Sequence, residues 1–192
     1  SFAGEKDGDA SPQITAIENC VASGVKGILI TPSNDDVGPA LKAARAKGIL
    51  VISLDTPLGD AEAQDMTFAT DNFEAGVLIG KWAAGTLGAD GVKNAKIGML
   101  DINKDNISVD VARDTGFLTG FGIAVPDLKV MGSETDPRVI GHESSGANPE
   151  GGLKSAENLL AKNPDMNVIY TINEPAAEGA YQGMKAAGKE TQ

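Results

Sequence analysis

Apolar residues in this chain gather into short runs that break off abruptly into polar ones, and between the runs they recur at helical spacing. GILITPSN (27 to 34), GILVISLDTP (48 to 57), KIGMLDINKD (96 to 105) and NVIYTINEP (167 to 175) share that form. Short, nearly continuous apolar runs bounded by turn residues read as strands buried on both faces. The intervening segments carry helix punctuation. In SPQITAIENCVASG, Ser11 is a candidate N-cap, Pro12 takes the first helical position, Ile14, Ile17 and Val21 form a stripe, and Gly24 is the stop. DDVGPALKAARAKG repeats the design with Val37, Leu41 and Ala44 inward. DNFEAGVLIGKWAAGTLG predicts a long apolar helix with Phe73, Val77, Gly80, Ala83 and Leu87 on one face, and mid-helix Trp82 reads as core. Pro149 and Pro175 open two further helices.

Strands alternating with amphipathic helices predict an α/β fold of parallel sheets built from βαβ crossovers. The repeated unit suggests two lobes, residues 1–70 and 71–192, with MTFATDN as a short hinge. In an open parallel sheet the carboxyl ends of all strands line one edge, and ligands bind in the crevice outside it. Asp55, which ends a strand that is otherwise apolar, is thereby explained as a group facing that crevice. Ser33, Asn34, Asp101, Asn103, Thr171, Asn173 and Glu174 stand at equivalent places. The same residue types also stop strands and cap helices, so both roles remain open for them.

Charge and composition narrow the function. The formal net charge is -11, which repels a phosphate backbone, so nucleic acid is not an expected partner. With one cysteine, Cys20, no internal disulfide can form, and this residue reads as a small core group. The apolar runs are far shorter than the roughly 18 residues a membrane span needs. Because the chain starts on Ser with its first expected element already under way, it reads as a fragment.

Motifs for catalysis fail one by one. GVLIGKW imitates a phosphate loop, but only three residues separate Gly76 from Gly80, and Trp82 stands where Ser or Thr would hold magnesium. The glycines of GFLTGFG have the wrong spacing for a dinucleotide site and lie in helical periodicity. DINKDNISVDVA offers Asp101, Asn103 and Asp105 in calcium-loop order, yet Asn106 and Ala112 replace the Gly and Glu such a loop requires. His142 is the only histidine and reads as a surface or strand-end residue, so neither a zinc site nor a nucleophilic triad is expected. No cofactor and no enzymatic activity are expected. What remains is Asp, Asn and Arg113, the hydrogen-bonding repertoire that suits a neutral polyhydroxylated ligand. Arg113 also has Asp110 at helical spacing, so a surface ion pair is its alternative.

The ordered set GILITPSN, GILVISLDTP, FATDNFEAGVLIGKWAA, SVDVARDTGF and YTINEPAAEGAY resembles the periplasmic sugar-binding proteins of bacterial ABC importers, especially the ribose- and fructose-binding members. These share their fold with the ligand-binding core of lac-repressor-type regulators, whose effector domain is the alternative function. The resemblance implies a monomeric periplasmic protein. Two α/β lobes close on a monosaccharide, fructose first, and dock on a membrane permease. It places Asp55, Arg113 and Asn173 on the sugar and Asn72 near it. Thr56, standing where ribose-binding members have Arg, is counted with the ligand positions and argues against simple ribose. Ala147 or Asn148 replaces an aromatic ring of that group. The opening and closing strands of the family are lacking, so the fold is expected to be incomplete at both ends.

Overall fold

The computed structural model describes residues 2, 9–104 and 107–189; Asp105 and Asn106 of the calcium-loop imitation and most of the opening SFAGEKDGDA lie outside them. The chain divides into two compact units, residues 1–70 and 71–192.

In the first unit, helix α1 (Ser11–Ala22), strand β1 (Gly27–Ile30), helix α2 (Gly38–Arg45), strand β2 (Leu50–Leu54) and strand β3 (Met66–Phe68) follow in order. The three strands are parallel in the order β1-β2-β3, with Ile28 beside Val51 and Ser53 beside Thr67. Ile28 and Val51 point to the same side and pack with Ile17 of α1 and Leu41 and Ala44 of α2. By register Leu29, Ile52, Met66 and Phe68 share the other face, where Leu29 is 70% and Phe68 58% exposed. At the far end of β2, Asp65 accepts from the Arg45 guanidinium at 2.7 Å and from the Val51 N–H at 2.8 Å.

The second unit runs α3 (Asn72–Lys93), β4 (Ile97–Asp101), α4 (Ser108–Phe121), β5 (Val139–Ser144), α5 (Pro149–Lys162), β6 (Val168–Thr171) and α6 (Glu174–Ala186). Its sheet is again parallel, in the order β5-β4-β6, and every residue of central β4 is buried. One apolar cluster joins Ile97 and Met99 to Phe117, Leu118 and Phe121 of α4, with Ala83, Ala84 and Val92 of α3 against it. A second joins Leu100 to Ala156 and Leu159 of α5 and Ala180 and Met184 of α6. The sheet is thus covered on both faces, as continuous apolar strands require.

The α/β reading with parallel sheets holds, and five particulars change. Strand β5 is absent from the runs read as strands, because VIGHES is half-polar and occupies an edge. Ser11 is the first residue of α1 rather than its cap; Ala10 holds the cap position, and Asp9 accepts from the Ser11 N–H at 3.0 Å. Cys20 is only half-buried, against the edge of its core. Trp82 is 64% exposed rather than core. The reason is that α3 meets α4 through Gly76 and Gly80, which lie against Gly116 and Gly120, so the large side chains of α3 turn outward. Leu87, expected inward, is exposed one residue before Gly88, whose φ of 67° breaks the helix.

At Gly80 an added methyl would overlap the Phe117 carbonyl oxygen, whereas at Gly85 of the same helix it would meet open space. We therefore expect Gly80→Ala to destabilise the protein by about 1 to 3 kcal/mol or more through overpacking. Gly85→Ala should be neutral or stabilising by up to about 1 kcal/mol; equal melting temperatures would contradict the close approach. A second prediction concerns pH. The Arg45 guanidinium and the Val51 N–H hold the Asp65 carboxyl below its ordinary range. Its stabilisation is present above the unfolded value of about 3.9 and lost as pH falls through the lower folded value. The stability gap between the parent and Asp65→Asn should close in acid; a gap independent of pH would refute this.

Candidate functional site

In the second unit the start of α3 and the segment between β6 and α6 converge on Arg113 of α4. This residue sits in the second turn of α4, not at its start. Its Nε–H donates to Asn72 Oδ1 at 2.8 Å, and one terminal nitrogen donates to the Ile172 carbonyl at 3.2 Å. The alternative ion pair with Asp110 does not form; Asp110 instead accepts from the Ile102 N–H at 2.8 Å. Asn72 is itself buried at the start of α3, where Asp71 caps the helix by accepting from the Glu74 N–H. The guanidinium is therefore held from two elements, with further N–H groups left over among its five donors.

Asn173 follows directly after Ile172. It is the N-cap of α6, accepting from the Ala176 N–H at 3.0 Å, while its Nδ2 donates to the Ala147 carbonyl at 3.2 Å. Ala147 has a φ of 55°, a left-handed conformation that an alanine adopts only when its surroundings impose it. Asn173 is one of the groups that impose it. The structure thus brings Arg113, Asn72 and Asn173 together, each with a positioning bond already in place.

In the first unit, Asp55 follows β2 with a φ of 66°, and its N–H donates to the Phe68 carbonyl at 2.8 Å. The Thr56 hydroxyl donates to Asp55 Oδ2 at 3.3 Å. A strained aspartate at a strand's carboxyl end is a feature that clusters at ligand sites. Among the other strand-end candidates, Asn34 caps a short 3-10 turn (Asp35–Val37) and the Thr171 hydroxyl donates to the Asn173 carbonyl. These two serve the structural role of their residue type.

Sequence reasoning missed a buried acidic cluster beside Arg113. Asp110 and Asp114 of α4 are fully covered, and Asp101 at the end of β4 is nearly so. Burial pushes the Asp110 carboxyl up to about 6. Burial and the neighbouring Asp101 and Asp110 also push Asp114 well above the usual carboxylate range. His142 lies inside β5 rather than at a surface: Nδ1 is 3.0 Å from Asp101 and Nε2 is 2.9 Å from Glu134. Burial opposes its charge, but the bonds to these two carboxylates prevail and raise it to about 10. The VDVARD spacing, which puts Asp110 and Asp114 on one helical face, was the available signal. A separate groove of about 1110 Å³ runs from Arg113 along the open edge of β6, walled by Ile79, Trp82, Tyr181 and Met184. Its apolar walls do not match a polyhydroxylated ligand.

Comparison with known proteins agrees with this architecture. The family model described as "Periplasmic binding protein domain" matches residues 1–192. The ribose import binding protein RbsB of Bacillus subtilis is 26% identical over 183 residues, covering 95% of this chain and 54% of that protein. RbsB of Haemophilus influenzae is 30% identical over 187 residues, covering 96% and 58%. A crystal structure of an ABC transporter periplasmic solute binding protein from Actinobacillus succinogenes, with bound D-allose, aligns with a TM-score of 0.79 and 26% identity, covering 97% of this chain and 62% of that one. The chain spans just over half the length of the curated relatives it matches. With its whole length matched and its two parallel α/β units in place, the chain belongs to the periplasmic binding protein domain family.

Proposed function

We propose that this chain contributes the sugar-contacting residues of a periplasmic solute-binding protein, which captures a monosaccharide and delivers it to an ABC-type permease without chemical change. The observation that carries the reading is the Arg113 guanidinium, fixed by Asn72 and the Ile172 carbonyl at the carboxyl edge of its sheet. A donor fork held before the ligand arrives loses little freedom on binding, which is what preorganisation supplies. Asn72 and Asn173 belong to the same unit as Arg113, and Asp55 with Thr56 is proposed as the ligand-binding pair of the first unit. A carboxylate accepts from two hydroxyls, and amides both donate and accept.

Fructose is the first cargo to test. Thr56 stands where ribose-binding members resembling this chain carry Arg, and Ala147 or Asn148 stands where they carry a ring, so two features suited to ribose are missing. The relatives named for ribose, and the one holding D-allose, support the monosaccharide class. Catalysis has no part in this reading.

The test is a thermal-shift panel on the protein at the length of its relatives, with fructose, ribose, allose and sugar phosphates. A ligand at about 100 times its dissociation constant should stabilise the protein by about 2.7 kcal/mol. Arg113→Ala and Asp55→Ala should each weaken binding by about 1 to 3 kcal/mol, because partner hydroxyls are left desolvated and unpaired. A response to sugar phosphates alone, or unchanged affinity in both variants, would overturn the reading.

A further inference from the structure

The acidic cluster beside Arg113 has a geometry that hydrogen bonding within the protein does not complete. We propose that Asp101, Asp114 and His142 form a binding site for one divalent transition-metal ion of the zinc class. One ligand atom from each lies within 4.8 Å of the others. The three residues come from β4, α4 and β5, so the sheet and the helix packed on it bring together groups far apart in sequence.

The histidine supplies the first reason. Glu134 Oε1 stands 2.9 Å from His142 Nε2, and an ionised carboxylate only accepts, so Nε2 carries the hydrogen. Nδ1 stands 3.0 and 3.1 Å from the two Asp101 oxygens, which also only accept, so without a metal it carries a second hydrogen that it donates to Asp101. A divalent ion would take the place of that proton between Nδ1 and the Asp101 carboxylate, releasing it on binding. A histidine that gives its far N–H to a carboxylate and its near nitrogen to a metal is the usual outer support of a metal ligand.

Asp114 supplies the second, independent reason. It is 1% exposed, and neither of its oxygens has a hydrogen-bond donor. A proton on Asp114 reaches only Asp101, whereas a divalent ion between the three residues satisfies all of them at once. Asp110 Oδ1 and Glu134 Oε2 are also buried without a donor, so excess negative charge surrounds the place. Buried carboxylates in that number require a compensating charge. Chemistry selects the ion: one imidazole nitrogen with two carboxylate oxygens suits zinc or manganese, while calcium takes six to eight oxygens.

The test is calorimetric titration of the chelator-stripped protein with Zn²⁺, and separately with Ca²⁺. The sequence simplifies it, since there is a single histidine and a single cysteine, and Cys20 lies in the other unit. Saturable binding of one Zn²⁺ per chain is expected. It should fall by at least about 100-fold in Asp114→Asn and His142→Gln, beyond the 10- to 100-fold cost of losing an outer support alone. Cys20→Ser should leave it unchanged, and Ca²⁺ should give no comparable binding. Asp114→Asn keeps volume and replaces a buried carboxyl that has no donor, so without metal it should melt no lower than the parent, which shows that a loss of binding is not a loss of fold. If that variant fails to fold, His142→Gln decides alone. Absence of saturable Zn²⁺ binding, multiple weak sites indifferent to both variants, or equal binding of Ca²⁺ would overturn the proposal and leave protons as the cluster's compensating charge.

Discussion

Everything near the candidate site depends on how closely α3 lies against α4. Gly76 faces the Arg113 carbonyl and Gly116 faces that of Phe73, so the two helices touch backbone to backbone at the level of the guanidinium. Only at that separation does Asn72, at the start of α3, reach Arg113 Nε. The glycines carry a cost in chain entropy, and the return is a guanidinium whose direction is set by the start of α3 and the segment after β6. The outward turn of Trp82 and Ile79 follows from the same contact, because a helix that buries its glycine stripe must expose the opposite side.

The second constraint is electrostatic. Unit two places Asp101, Asp110, Asp114, Glu134 and His142 in a small covered region behind the strand ends. Removing such groups from water is costly unless each finds a partner. His142 satisfies two of them by bridging β5 to the end of β4 and to Glu134, which ties the edge strand to the centre of the sheet. Asp114 is left without a donor, and it is one residue along α4 from Arg113. Arg113 and the buried Asp110 and Asp114 thus share one helix, so a change in the cluster's charge acts on the element that carries the guanidinium.

The architecture was legible because buried parallel strands write a continuous apolar run and a polar stop, which GILVISLDTP and KIGMLDINKD both do. Helix ends were legible for the same kind of local reason: Gly88 breaks α3 where the apolar spacing runs out, and Pro149 and Pro175 open α5 and α6. Properties set by partners distant in sequence were not legible. Nothing local to VIGHES distinguishes an edge strand from a loop, and nothing local to Trp82 reveals that its helix packs through glycine. His142 read as an isolated histidine because Asp101 is 41 residues away and meets it only through strand pairing. Arg113, Asn72 and Asn173 were singled out through family resemblance; the bonds that hold them in place are visible only in three dimensions.

The central claim is that Arg113 is a sugar-binding group held in place by Asn72. The most direct measurement is a crystal structure of the protein, at the length of its relatives, with its cognate monosaccharide bound. The account predicts that a terminal nitrogen of Arg113 donates to a sugar hydroxyl while Nε keeps its bond to Asn72. A bound sugar that Arg113 does not touch, or an Arg113 that leaves Asn72 to reach it, would contradict that claim.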